Sequence, residues 1–288
     1  MKGTFAWLGR VAVTLVAIVA ALAVARALWI YYMESPWTRD GRVRADVIQV
    51  APDVSGFVTD VQVKDNQKVH RGDVLFRIDR ERFALALQTA DAAVAGRKAT
   101  LDQANSDLKR YSALTTDAVS QQKQEQILAT QLQAKAAYDQ AVTDRAVAQL
   151  NLDRSEVHAS VNGTITNMDL RPGAYLTAGK GVMALVDTDT LHVEGYFEET
   201  KLARIHVGDK AEVRLMGEPV RLTGHVESIA AGIEDRDRGE GANLLANVNP
   251  TFSWVRLAQR VPVRIALDQL PGNVALVAGR SATVEVLK

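Results

Sequence analysis

The stretch Val50 to Asp79, "VAPDVSGFVTDVQVKDNQKVHRGDVLFRID", recurs in weakened form further along the chain as Val161 to Asp187, "VNGTITNMDLRPGAYLTAGKGVMALVD". Without a gap, Val54 matches Val161, Gly56 matches Gly163, Val58 matches Ile165, Val69 matches Leu176, Gly72 matches Gly179 and Ile78 matches Leu185. Runs such as Phe57–Val63 and Val74–Ile78 alternate apolar and polar residues, the period of a half-buried strand, and Asp53, Gly56, Asp65-Asn66 and Gly72-Asp73 punctuate them as turns. A few short strands on their own cannot bury their apolar face. The repeat therefore predicts one small β domain made of two halves, 50–79 and 155–187, with the intervening residues inserted between them.

Each half resembles half of a biotinyl or lipoyl carrier domain. In such carriers the modified lysine sits on the tight hairpin joining the halves. Here that junction opens at Asp79 and continues Arg80-Glu81-Arg82, so the resemblance implies the fold without its covalent cofactor, and argues against a carrier or transferase component. The place of the lysine is taken by a segment from Arg80 onward that has no proline up to Glu156, a single glycine at Gly96, and an abundance of Ala, Gln, Leu and charged residues. That composition predicts helix. Leu87, Val94, Leu101 and Leu108 recur every seventh residue, with Phe83, Ala90, Ala104 and Tyr111 on the alternate seam position and Arg97 breaking it. A second stripe runs through Ile127, Ala134, Ala141 and Ala148, beside Tyr138 and Leu152, with Gln131 and Arg145 as interruptions. Between them "LTTDAVSQQ", Leu114 to Gln122, breaks the pattern, and Ser120 is placed to cap the returning helix. Residues 80–154 thus predict an antiparallel coiled-coil hairpin with arms of roughly 35 residues, or about 50 Å.

The N-terminal stretch "VAVTLVAIVAALAVARALWI", Val11 to Ile30, has the length needed to cross a bilayer and one charge, Arg26, near its far end. Trp29, Tyr31 and Tyr32 follow as an aromatic interface belt. Lys2 and Arg10 precede the span and a mixed set, Glu34, Arg39 and Asp40, follows it, which predicts a cytoplasmic N-terminus with the remainder exported. A cleaved signal peptide is the alternative, with "AVA" at Ala23–Ala25 and "ARA" at Ala25–Ala27 as small-residue sites, but apolar and aromatic residues continue past both. The chain has no cysteine, which excludes disulfides and a lipidated cysteine anchor.

Beyond the second half-motif, "LHVEGYFEE", "DKAEVRL", "GHVESIA", "VPVRIAL" and "SATVEVLK" read as strands separated by turns, and 188–288 predicts a small β-barrel. "VRADVIQV", Val43 to Val50, is expected to add a strand to that barrel, with 35–49 as the linker and strand joining it to the anchor segment 1–34. Glu234 to Trp254, charged and rich in Gly and Asn, is expected to form a long loop.

Enzymatic chemistry finds no support. The five histidines, His70, His158, His192, His206 and His225, are dispersed, and none has a second ligand at metal spacing. No glycine-rich stretch has phosphate-loop spacing, and 34 basic against 34 acidic residues leave no excess charge for nucleic acid.

A single N-terminal span, a split lipoyl-like domain, an inserted helical hairpin and a C-terminal barrel together make a mixed α/β, modular and elongated chain. It resembles the membrane fusion, or periplasmic adaptor, proteins of the HlyD and EmrA type. The resemblance covers essentially the whole chain, and is nearest to the adaptors of aromatic carboxylic acid (p-hydroxybenzoic acid) efflux through Ser35–Gly56, Asp65–Asp79 and Trp254–Ile265. It implies a non-enzymatic subunit of the bacterial inner membrane with its bulk in the periplasm. Its implied partners are an inner-membrane transporter, an outer-membrane channel of the TolC type, and copies of itself in a ring, commonly of six. An adaptor for protein or peptide secretion is the alternative, although such adaptors carry longer hairpins. The family contacts its channel through an arginine, a leucine and a serine around the hairpin tip. Here "RYSALTTDAVS" supplies Arg110, Leu114 and Ser120, with one residue fewer between leucine and serine than the family pattern. Leu114 and Val119, apolar at an exposed turn, are suited to burial against a partner, and Arg110 to bonding its carbonyls or carboxylates.

Overall fold

The computed structural model describes residues 2–113, 120–233, 238–240, 246–248, 258–268 and 274–287, and of 2–12, 238–240 and 246–248 the backbone alone. The chain begins with α1 (Lys2–Trp29), a π-helical turn (Ile30–Glu34), β1 (Trp37–Arg44), β2 (Val47–Val50), β3 (Gly56–Val61), β4 (Lys68–Val69) and β5 (Val74–Ile78). Two long helices follow, α2 (Arg80–Ser112) and α3 (Gln121–Asp153), then β6 (Glu156–His158), β7 (Gly163–Thr166), β8 (Tyr175–Leu176) and β9 (Met183–Asp187). The C-terminal part holds β10 (His192–Glu198), β11 (Lys210–Leu215), β12 (Arg221–Ile229), β13 (Arg238–Glu240), β14 (Ala246–Val248), β15 (Arg260–Leu267) and β16 (Ser281–Leu287). Two compact units result, 47–189 and the pair of segments 1–46 with 190–288.

In the first unit the repeat has become a pair of interlocked sheets, ordered β2-β9-β7-β4 and β6-β5-β3-β8. One sheet joins β4 of the first half, and β2 just ahead of it, to β7 and β9 of the second; the other joins β3 and β5 of the first half to β6 and β8 of the second. Gly56 pairs with Leu176 and Gly163 with Val69, and these two pairs are repeat equivalents of each other. The matched residues Val58 and Ile165, Val69 and Leu176, and Ile78 and Leu185 are all buried in one core with Leu75, Phe76 and Met183. Full burial of one such side chain is worth about 1.5–3 kcal/mol, and a half alone would leave its share exposed. The matched glycines have the same cause twice over. A Cβ on Gly56 would lie 2.7 Å from Ile78, and one on Gly163 would lie 2.3 Å from the Val186 carbonyl oxygen and 2.9 Å from Leu185. Gly72 and Gly179 both hold a left-handed φ, 94° and 79°, in their turns.

From this core the backbone leaves through α2 and returns through α3. Asp79 caps α2, its carboxylate accepting from the Glu81 amide at 3.2 Å. On return Ser155 is buried, donating to the Leu152 carbonyl at 2.6 Å and accepting from the Ile78 amide at 2.8 Å. The helices run antiparallel: Gln131 donates to Asn105 at 3.0 Å and Arg145 pairs with Asp91, so positions further along one helix meet positions further back on the other. Ala104, Ala134 and Ala141 are buried at the contact. Leu87, Val94, Leu101, Leu108 and Ile127 are half-buried beside them, while Arg97 and Arg145, the seam's interruptions, stay exposed.

The second unit contains a closed six-stranded barrel, β1-β10-β15-β12-β11-β16. Its core holds Val43, Val193, Phe197, Val213, Leu215, Leu222, Val226, Val263, Ile265, Val284 and Val286. Closure leaves no strand edge unpaired. The five runs expected as strands supply β10, β11, β12, β15 and β16. Val43–Val50, expected as one barrel strand, is divided instead. Val43 and Arg44 end β1 in the barrel, whereas Val47–Val50 form β2 and pair with β9 of the sandwich. The chain breaks at Ala45-Asp46 because the inward set changes owner there: Val43 fills the barrel core and Val50 the sandwich core. Of the expected 234–254 loop, 238–240 and 246–248 form a two-stranded antiparallel pair, and the rest lies outside the described residues.

Candidate functional site

Two places carry the side chains that the sequence singles out. At the far end of the helix pair, Arg110 lies in the last turn of α2 and Ser120 immediately precedes α3. Leu114 and Val119 lie outside the described residues. Arg110 is exposed and pairs with Asp107 one turn back, a contact that sequence reasoning missed although the i,i+3 spacing announces it. The Arg110 guanidinium, with help from the Gln103 amide, holds the Asp107 carboxyl below the usual carboxylate range. Arg110 is thus steered rather than free. A partner carboxylate has to displace Asp107, whereas a partner carbonyl can share the remaining N–H groups.

Ser120 has the extended backbone of a helix cap and its carbonyl accepts from the Lys123 and Gln124 amides at 3.0 and 3.2 Å, but its hydroxyl makes no capping bond. Two grooves flank this end of the pair. One of about 850 Å³ is lined by Asp107, Arg110, Tyr111, Lys123 and Ile127, the other, of about 480 Å³, by Leu108, Tyr111, Gln124 and Leu128. Both grooves mix apolar with charged or polar side chains.

The second place is the exit of α1. The apolar stretch Val13–Glu34 contains an 18-residue window of mean hydropathy 2.3, and its side chains, Trp29, Tyr31 and Tyr32 included, are exposed in the isolated chain except for Glu34. Tyr31 stacks on Trp37 with ring centroids 5.7 Å apart and meets Tyr32 edge-on at 5.1 Å. The Trp37 indole donates to the Tyr31 carbonyl at 2.9 Å, and Arg204 donates to the Glu34 carbonyl at 2.6 Å while facing its carboxylate at 3.5 Å. The helix C-terminus is thereby tied to the barrel through two side chains that the sequence reading did not name. Trp37 could have been found as a fourth aromatic following the belt. Arg204 comes from a distant segment and carries no such signal. Among the residues whose side chains are described, no cluster of three His, Asp or Glu is able to hold a metal ion.

Residues 46–188 match the barrel-sandwich hybrid domain of RND membrane fusion proteins, and residues 190–287 match the AAEA-like β-barrel domain. An Escherichia coli K12 relative, the uncharacterised protein YdhJ, is 41% identical over 272 residues, which cover 94% of this chain and 95% of the relative. The chain belongs to the membrane fusion protein family. The fold is shared with a membrane fusion protein of Streptococcus pneumoniae, Spr0693, at TM-score 0.66 and 21% identity over 88% of this chain and 99% of that one. A putative efflux transporter of Bacteroides eggerthii gives TM-score 0.57 at 18% identity over 86% and 68%. Membrane fusion proteins are non-enzymatic linkers, and an N-terminal apolar helix fits attachment of this one to the inner membrane.

Proposed function

We propose that this membrane fusion protein is the periplasmic adaptor of a tripartite efflux pump, joining an inner-membrane transporter to an outer-membrane channel of the TolC type. The observation that carries the reading is the helix pair, two arms of 33 residues each that end in the exposed Arg110 and Ser120. The cargo is small molecules, with aromatic carboxylic acids favoured by the resemblance in Ser35–Gly56, Asp65–Asp79 and Trp254–Ile265. The N-terminus is cytoplasmic, and six copies form the ring. Arg110, Leu114, Val119 and Ser120 contact the channel, while Trp29, Tyr31 and Tyr32 seat the anchor at the bilayer surface.

A ring multiplies weak contacts. If each tip contributes about 1 kcal/mol, several engaged at once produce a stable seal, and a single substitution is repeated around the ring. Arg110→Asp and Leu114→Asp are expected to leave production, membrane attachment and association with the transporter unchanged while abolishing export and crosslinking to the channel. Gln88 and Lys98, exposed on α2 far from the tip, serve as control positions. Parental export by both tip variants at matched protein levels would remove the tip from the mechanism and leave the hairpin a spacer. A reporter active only outside the cytoplasm, fused after Met33, is expected to be active.

A further inference from the structure

Beside the exit of α1 lies a groove of about 430 Å³ whose lining includes Tyr32, Trp37, Arg39, Glu198, Lys201 and Arg260. Lys201 is the unusual member. It is only 7% exposed, yet its ammonium has poor partners: the Trp37 carbonyl at 3.5 Å and the Glu198 carboxylate at 3.9 Å. Three N–H groups need acceptors, and a buried cation without them is costly. The indole ring of Trp37 lies 5.5 Å away and supplies a partial substitute.

Arg39 approaches the same ring at 5.5 Å and has no ion pair among the described residues. A bulge in β1 explains its position. Thr38 pairs with Val284 and Gly41 with Ala282, so Arg39 and Asp40 together oppose one residue and neither points into the barrel. Asp40 is taken by Arg260. Among the described residues that line the groove, Lys201 and Arg39 therefore face it with Glu198 as the one carboxylate not otherwise engaged, and their balance is positive.

Depth decides what fills it. Tyr32 lines the groove and also belongs to the apolar stretch Val13–Glu34, so with α1 in a bilayer the groove opens at the level of the headgroups. We propose that this groove binds the phosphate of an anionic phospholipid in the leaflet where α1 emerges, with Lys201 and Arg39 as its donors and Trp37 as its wall. The proposal rests on the anchor reading, and adds to it a lipid-selective contact that holds the barrel against the membrane surface.

The test uses the full chain. Flotation with vesicles of phosphatidylcholine alone checks the anchor, and failure to float would overturn the anchor and the groove together. Nanodiscs of equal parts phosphatidylcholine and phosphatidylglycerol, followed by mass spectrometry of the lipids retained by the released protein, check the groove. Enrichment of phosphatidylglycerol is expected, falling about fivefold for each cation removed in Arg39→Gln and Lys201→Gln, the factor that corresponds to about 1 kcal/mol per basic residue near an anionic surface. Arg39 is exposed, so its variant reports even if Lys201→Gln folds poorly. Flotation with unchanged phosphatidylglycerol enrichment in Arg39→Gln, or equal retention of both lipids by the parent, would overturn the groove and spare the anchor. Thermal protection by glycerol 3-phosphate in detergent without phosphatidylglycerol would reassign the groove to a soluble anion.

Discussion

Glu156 shows how one residue can report on the splice between sandwich and helices. It stands at the start of β6, accepts from Arg77 at 3.0 Å and pairs with Arg80 in the first turn of α2. The Arg77 hydrogen bond, with the Arg80 charge behind it, holds its carboxyl below the ordinary glutamate range. A lowered value means that the folded state prefers the ionised form. The contribution is therefore present above about pH 4.3, the ordinary glutamate value, and is lost as pH falls through the lowered one. Glu156→Gln is expected to lower the urea midpoint at pH 7 by an amount equivalent to no more than about 1 kcal/mol, and the gap to the parent should close in acid. Equal midpoints at pH 7 would show that the two arginines are indifferent to this carboxylate.

At the scale of elements, the helix pair is an insertion whose ends almost touch. The Ile78 amide bonds the Ser155 carbonyl at 2.8 Å, and β5 pairs directly with β6. Replacing Glu81–Asp153 by a short glycine turn should therefore keep the sandwich register, because the strands need only a hairpin connection and a shorter loop costs less closure entropy. The shortened chain is expected to be soluble and to unfold cooperatively, with export lost. An aggregated product would show that the helices support the sandwich rather than project from it. The seam within the pair depends on small residues, Ala104, Ala134 and Ala141, which permit close approach but bury little apolar area. Polar and ionic contacts, Gln131 with Asn105 and Arg145 with Asp91, mark its register.

For the whole molecule, the governing feature is nested interruption. The helix pair interrupts the sandwich, and the sandwich interrupts the barrel, whose first strand precedes it and whose other five follow. A chain beginning at Ser35 retains β1 and the closed barrel, and is expected to be soluble and folded. A chain beginning at Val47 lacks β1, which leaves the facing edges of β10 and β16 unpaired, so it is expected to self-associate while amide protection in β7 and β9 persists. Indistinguishable solubility of the two would mean that closure by β1 contributes little.

By itself the sequence determined the repeat, the helical insertion between its halves, the apolar span and the strands of the C-terminal barrel. Each is written in a local period, two for strands and seven for the helix seam, or in an unbroken apolar run. The residues proposed for the tip came from a family resemblance, whereas the i,i+3 spacing of Asp107 and Arg110 allowed a pairing that the side-chain rotamers then made. Only the tertiary structure decided that both sheets would mix strands from both halves, that Val43–Val50 would be shared between two cores, and that Lys201 would be buried against Trp37. Those outcomes depend on which distant surfaces meet, and alternation within one strand says which face is apolar but not whose core it fills.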